Sequence, residues 1–176
     1  MLDSAIIFAI KKHHNQFRKR SNIPYIIHPI TVAFLAKLYK PLFFDFENIH
    51  IACILHDTIE DTDTTYNEIL INFNIEIADL VLELTNNKQM INNLGKNEYV
   101  KQKCINLSLN ALYIKLADRL SNIIDKPLYS YIVSTDELIR FIYDHRVDLE
   151  GHHIKLIRII SKKCNTEIQK YIESLN

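Results

Sequence analysis

The chain has 176 residues, of which 48% are hydrophobic, enough for one domain with an ordinary core and too many for general disorder. Its 21 basic and 21 acidic residues cancel, which argues against broad electrostatic binding to nucleic acid, since that needs a basic stripe. The only two glycines, Gly95 and Gly151, lie far apart and exclude the glycine-rich loops that cradle phosphates, so phosphate must be met by side chains or a metal.

Helix signals recur along the whole chain and strand signals are scarce. Ala5, Phe8, Ala9, Lys12 and His13 fall near helical spacing and predict an amphipathic helix over 3–17. The apolar run Ala5–Ile10 within it is too short to span a membrane, and its charges, Lys11 and Lys12, follow rather than precede it, opposite to a secretory signal. Pro24 and Pro29 bracket an irregular link, a second helix starts near Pro29, and Pro41 stops it. A third helix runs from Glu47 to Glu60, apolar nearly all round and therefore central. Thr65 with Glu68 forms a capping box for a fourth, and 75–86 gives a fifth.

Residues 88–100 are polar, with Asn92, Asn93 and Gly95 in the middle, and read as a mobile loop. Helix resumes near Glu98 and includes a second central segment, 111–124, ended by Pro127. Ser134 and Glu137 suggest a capping box before a helix to about Glu150, with Gly151 as a breaker. His152–Leu175 reads as two helices broken at Asn165. The expected fold is all-α, a compact helical bundle of roughly eight to ten helices in a single domain, 1–176. Cys53, Cys104 and Cys164 form no C-x-x-C pair, which suits buried thiols in a reducing, cytoplasmic setting.

Chemistry concentrates in three segments. In 52–61 an apolar helix turns abruptly acidic: His56 and Asp57 are followed by Glu60 and Asp61, so that Asp57, Glu60 and Asp61 can share one face. Three like charges at a helix C-terminus repel each other and oppose the helix dipole, costs that a divalent cation would offset. An isolated His-Asp pair is usually only a solvated helix end. Here it is accompanied by His28, held before Pro29 in a restricted backbone region, and by Asp118, an acid in an otherwise apolar helix with Asn122 one turn on. Arg119, adjacent in sequence, points elsewhere on that helix and is a poor partner for Asp118. Two imidazoles and two carboxylates make a mixed N/O set suited to manganese, iron or zinc, and the lack of thiolates speaks against structural zinc.

His28, His56-Asp57 and Asp118 carry the H…HD…D pattern, and the chain resembles the HD-domain phosphohydrolases. The ordered segments Gln16–Lys19, Pro24–Ala33, Leu55–Thr62, Leu84–Lys88 and Ile114–Asn122 are similar to the hydrolase domain of RelA/SpoT-type enzymes, more closely to stand-alone small alarmone hydrolases of the animal SpoT homologue type. The likeness covers residues 1–125 well and the last third only as helical pattern. It implies hydrolysis of the 3′-pyrophosphate of guanosine tetraphosphate and pentaphosphate, with one manganese ion on His28, His56, Asp57 and Asp118. Glu60 and Asp61 match the pair that positions and activates water. Arg18, Lys19, Lys88 and Asn122 match residues that face the nucleotide.

Asn22 stands where many relatives have glycine, and asparagine tolerates the left-handed backbone such a turn needs. His14 and Asn15 also depart from the family pattern, as does 89–100, which bears on specificity more than on metal binding. His145, His152 and His153 have no partner motif and read as surface or packing residues. Two rival functions remain: the same metal site acting on another phosphorylated nucleotide such as NADPH, or an inactive nucleotide sensor. The sequence leaves oligomeric state open.

Overall fold

A computed structural model describes residues 1–40 and 46–175, and among these the regular structure is helical apart from one isolated bridge, Phe17 to Pro24. The helices are α1 (Leu2–Lys12), α2 (Ile27–Tyr39), α3 (Glu47–Leu55), α4 (Thr58–Asp61), α5 (Tyr66–Asn72), α6 (Ile75–Leu84), α7 (Lys88–Leu94), α8 (Lys96–Asn106), α9 (Leu109–Ile124), α10 (Tyr129–His145) and α11 (Gly151–Glu173). Four N-termini are closed as their sequences dictate. Thr65, Asn74, Asn87 and Ser108 each accept a backbone N–H three residues on, and such a cap contributes about 1 kcal/mol.

Two helices form the centre. In α3, Ile49, Ile51, Ala52, Cys53, Ile54 and Leu55 are all buried; in α9, eleven residues from Ala111 to Ile123 are. An apolar surface that wraps all round a helix must be covered on every side. Accordingly α3 is packed by α1, α2, α6 and α9, and α9 by α2, α3, α6, α10 and α11. The hydroxyl of buried Tyr113 donates to Ala36 O at 2.7 Å, tying α9 to α2. The centre therefore sets the end of α3, the start of α2 and the interior of α9 relative to each other, and these carry His56, His28 and Asp118.

Several expected boundaries move. The first helix stops at Lys12, because His13, Gln16 and Tyr25 take up turn and bridge contacts instead. Asn22 and Asn15 adopt φ of 53° and 62°, so asparagine does supply the left-handed backbone of this link. The second helix begins two residues before Pro29; Pro41, its expected stop, lies outside the described residues. The third helix is not continuous to Glu60. It breaks at His56-Asp57, where Thr58 Oγ1 donates to Leu55 O at 2.7 Å and competes with the backbone.

The stretch 88–100 is not a loop but α7 and the start of α8, separated by Gly95 at φ 77°. Its polarity reflects a helical pair that buries little beyond Tyr99, Val100 and Cys104. The Ser134–Glu137 box does not form. Ser134 lies inside α10, its hydroxyl donating to Tyr131 O. Gly151 opens α11 rather than breaking a helix, and the break lies at 146–150. There Arg146 donates to Cys104 O, Ile105 O and Leu107 O while pairing with Asp148. α11 runs unbroken through Asn165. His152 and His153 are buried packing residues, His153 completing a capping box with Glu150, whereas His145 is exposed.

Candidate metal-centred active site

The break after α3 turns the His56 ring inward. His56 Nδ1 faces Cys53 O at 2.8 Å, so a ring made neutral by a bound cation would keep its proton on Nδ1 and offer the Nε2 lone pair. Without a cation, burial disfavours the charged ring, but Asp57 and then Asp118 raise its pKa to about 9. His28, in the first turn of α2, is held in the same sense by Ser121 Oγ, 3.1 Å from its Nδ1. Both rings thus present Nε2 to one point. One ligand atom each from His28, His56 and Asp118 lie within 4.8 Å of one another. Asp118 Oδ1 is 3.2 Å from His28 Nε2 and 4.0 Å from His56 Nε2. Asp57 Oδ2 is 3.0 Å from His56 Nε2 and 3.7 Å from His28 Nε2.

Ligands that share an ion at about 2.1 Å stand roughly 3 to 3.5 Å apart, close to these separations. His56 Nε2 is buried and makes no well-aligned hydrogen bond among the described residues, its near neighbour being Asp57 Oδ2 at 3.0 Å, so two potential ligand atoms lie side by side without pointing at each other. By donor chemistry and by this arrangement, the residues fit a divalent cation.

The surrounding groups orient the carboxylates. Lys115, one turn before Asp118, donates to its Oδ2 at 2.9 Å and leaves Oδ1 to the imidazoles. Burial opposes the Asp118 charge, but Lys115 and then His28 outweigh it and hold the carboxyl well below its ordinary value. Burial likewise opposes Lys115, and Asp118 more than offsets it, raising the ammonium above the usual lysine range. Asp57 follows the Asp118 pattern: burial raises it, and His56 pulls it lower overall. Tyr25 donates to Asp57 Oδ2 at 2.5 Å and lies 3.3 Å from Asp61 Oδ2, so one hydroxyl bridges two carboxylates. Burial and then Asp57 push this phenol far above its ordinary value, keeping it a donor.

Of the three acids expected to share a face, Asp57 and Asp61 converge on Tyr25, while Glu60 turns to Asn86. Burial, followed by Asp57 and Glu60, raises Asp61. Arg18 reaches the site by a chain of polar contacts. Its Nη2 donates to Asn122 Oδ1 at 2.7 Å, and Asn122 Nδ2 donates to Asp118 Oδ1 at 2.6 Å. Arg18 Nε also pairs with Asp125 at 2.9 Å. A cavity of about 190 Å³ beside them is lined by Arg18, Ile23, Ile27, His28, Thr31, Ser121, Ile124 and Asp125. Lys19 and Lys88 are not drawn in. Both are exposed, and neither makes an ion pair or side-chain hydrogen bond among the described residues.

Sequence reasoning missed Tyr25, Ser121, Lys115, Asn86 and Lys103. Lys115 was open to discovery, because a lysine inside an apolar helix and one turn from a buried aspartate is its natural partner. The others act across long sequence separations that no local pattern encodes.

A scan against protein families matches residues 5–126 to the family described as HD domain. The chain belongs to the HD domain family. Among curated HD-domain relatives, an Aquifex aeolicus protein named guanosine-3′,5′-bis(diphosphate) 3′-pyrophosphohydrolase is 39% identical over 69% of this chain and 17% of its own length. The human protein of the same activity name, MESH1, is 39% identical over 67% of this chain and 65% of its own. The zebrafish MESH1 is 36% identical over 71% and 68%. The chain thus spans about two thirds of the animal relatives and a small part of the bacterial one. Among solved structures, a metazoan SpoT orthologue described as hydrolysing ppGpp superposes with a TM-score of 0.72 at 24% identity, covering 89% of this chain and 93% of that one. This last likeness establishes the HD-domain fold.

Lys103 gives a pH-dependent signature at the edge of the site. Burial, then Lys115, lowers its ammonium to about 8 from the ordinary 10.5. An unfolded lysine stays protonated to higher pH than this one, so the folded chain binds fewer protons between about pH 8 and 10.5 and Lys103 becomes less destabilising there. The Tm of wild type relative to Lys103→Met is expected to rise between pH 7.5 and 10. A difference that stays flat or falls over that range contradicts the burial of this charge.

Proposed function

We propose that this HD-domain protein hydrolyses the 3′-pyrophosphate of guanosine tetraphosphate and pentaphosphate, yielding pyrophosphate and GDP or GTP, with manganese on His28, His56, Asp57 and Asp118. The observation that carries the reading is the convergence of two imidazole Nε2 atoms and Asp118 Oδ1 on one point, with Asp57 beside them. The pyrophosphohydrolase names of the relatives support the substrate. The mixed nitrogen and oxygen donors suit a borderline divalent ion. Such an ion makes water a stronger acid and neutralises charge on phosphoryl oxygens.

In this reading water adds to the phosphorus joined to the 3′-oxygen, that oxygen–phosphorus bond breaks, pyrophosphate carries away the water oxygen, and the 3′-oxygen takes up a proton from solvent to leave as the nucleotide's hydroxyl. Glu60 orients the water, and Asp61, whose carboxyl is raised by burial and neighbouring acids, takes up the proton the water gives away. Arg18 lies against the nucleotide, its plane suited to a base and its charge to phosphate, and Asn122 sets its orientation. Ile23, Ile27 and Ile124 supply apolar walls for the base. Lys19 and Lys88 remain free to meet phosphates. We read residues 1–176 as one hydrolase domain of the cytoplasm, where its three buried free thiols stay reduced.

The deciding experiment measures pyrophosphate release from guanosine tetraphosphate by the manganese-loaded protein, with a metal-free control. Release that depends on the metal supports the reading; none, with manganese demonstrably bound, moves the search to other phosphorylated nucleotides. Arg18→Ala is expected to raise KM about tenfold, the loss of one charge-assisted contact, with kcat within about threefold of wild type. An unchanged KM would remove Arg18 from the nucleotide site.

A further inference from the structure

Glu60 is tethered by three hydrogen bonds from one residue, and its tether is not a cation. The backbone N–H of Asn86 donates to Glu60 Oε2 at 3.0 Å, and the Asn86 side-chain amide donates to Oε1 at 3.0 Å and to Oε2 at 2.8 Å. An ionised carboxylate accepts only, so the amide must turn its NH₂ toward Glu60 and its oxygen away. That oxygen, Asn86 Oδ1, is buried and has no partner among the described residues. An asparagine retained only for packing would not leave an acceptor orphaned in the interior. The geometry favours Glu60 over the comfort of Asn86 itself.

Asn86 is in turn fixed from α8. Lys103 Nζ donates to Leu84 O at 3.0 Å and Thr85 O at 2.5 Å, the last carbonyl of α6 and the one that follows it. Tyr99 Oη accepts the backbone N–H of Asn87 at 2.8 Å. Asn87 then caps α7 through Met90 N. The backbone on both sides of Asn86 is therefore pinned to α8, and the polar segment that resembled a loop in sequence is the frame behind Glu60.

We infer that Asn86 is a positioning residue for Glu60, and that Tyr99 and Lys103 act on turnover through Asn86. The inference rests on the reading of Glu60 as the carboxylate that orients water. A glutamate has three rotatable bonds, and a group that must meet water in one direction is effective only when its neighbours lock its rotamer. Asn86 makes no contact with His28, His56, Asp57 or Asp118 in the hydrogen bonds described, so its effect falls on turnover and not on metal loading.

The test compares Asn86→Ala and Asn86→Asp, each alone and in the Glu60→Gln background, by kcat, KM, bound manganese and Tm on guanosine tetraphosphate. Asn86→Ala is expected to lower kcat about ten- to hundredfold, with KM within about threefold and manganese retained. Asn86→Asp is expected to lower kcat further, because it is nearly isosteric but aims a carboxylate at Glu60. A residue needed only for shape would give the reverse order, with aspartate the milder change. In the Glu60→Gln background, Asn86→Ala is expected to cost less than about twofold more, since residues that act through one another are not additive. Tyr99→Phe, which frees the Asn87 N–H, is expected to show the same non-additivity at a smaller size, about threefold. Full additivity, or Asn86→Asp with wild-type kcat beside an inactive Glu60→Gln, overturns the inference alone. Wild-type turnover by Glu60→Gln overturns the reading of Glu60 and this inference with it.

Discussion

His56→Ala is expected to strip the metal and lower turnover on the order of 10⁴-fold or more, because in the proposed reaction it deletes one ligand of the cation that would activate water and neutralise phosphate. The ring is buried at the break after α3, with Nδ1 fixed by Cys53 O and Nε2 aimed at Asp57 and Asp118. No neighbouring side chain can swing in to replace that nitrogen, since His28 already uses its own toward the same point. Removing a buried ring also leaves a cavity and costs about 2–4 kcal/mol, so lost activity alone would not separate misfolding from metal loss. Asp118→Asn provides the second arm. It keeps the volume but removes the charge, and is expected to lose manganese while leaving Lys115 as a buried unpaired cation, at a cost of about 3 kcal/mol. Metal analysis after desalting, with circular dichroism to confirm fold, decides the matter. A folded His56→Ala that still carries one equivalent of manganese removes His56 from the ligand set.

The all-α fold and the identity of the converging residues were legible in the sequence because both are local signals. Apolar residues all round 49–55 and 111–123 announce central helices, and an aspartate inside the second is conspicuous there. What was not legible depends on tertiary competition. The break at His56-Asp57 is invisible to helical periodicity, since it accompanies the bond from Thr58 Oγ1 to Leu55 O, a side-chain competitor for a backbone carbonyl. It also changes the electrostatics: Asp57 does not burden the last turn of α3 but stands at the N-terminal end of the one-turn helix α4 that carries Glu60 and Asp61, its carboxylate turned to Tyr25 and His56 rather than to that helix's backbone. The helix α7 and the first turn of α8 were hidden because 88–97 lacks an apolar stripe; α7 buries no residue, and polar contacts through Lys103, Tyr99 and Asn87 tie this region to the end of α6. Asn165 and Ser134, residues that often interrupt helices, do not do so where packing of α10 on α11 and of α11 on α9 outweighs weak local preference.

Glu60→Gln is expected to keep manganese and to lose about 10²-fold of kcat or more, the order of loss when a reacting water is no longer held in direction. The substitution looks conservative, yet Asn86 offers three donor contacts to this side chain, and a glutamine has one accepting oxygen where glutamate has two. The new NH₂ would face the NH₂ of Asn86, so either this side chain rotates away or the Asn86 amide turns over to offer its Oδ1, and in both cases one of the two oxygens that could orient water is lost. Asp61→Asn should behave differently. Tyr25 shares its hydroxyl between Asp61 and Asp57, so weakening one carboxylate alters the bond that orients the other. That variant is expected to lose turnover and also to bind manganese several-fold more weakly, the usual effect of disturbing a group behind a ligand. Titration of manganese into both metal-free variants distinguishes the two roles. Equal loss of metal affinity in Glu60→Gln would make Glu60 a ligand, and wild-type affinity in Asp61→Asn would leave Tyr25 serving Asp57 alone.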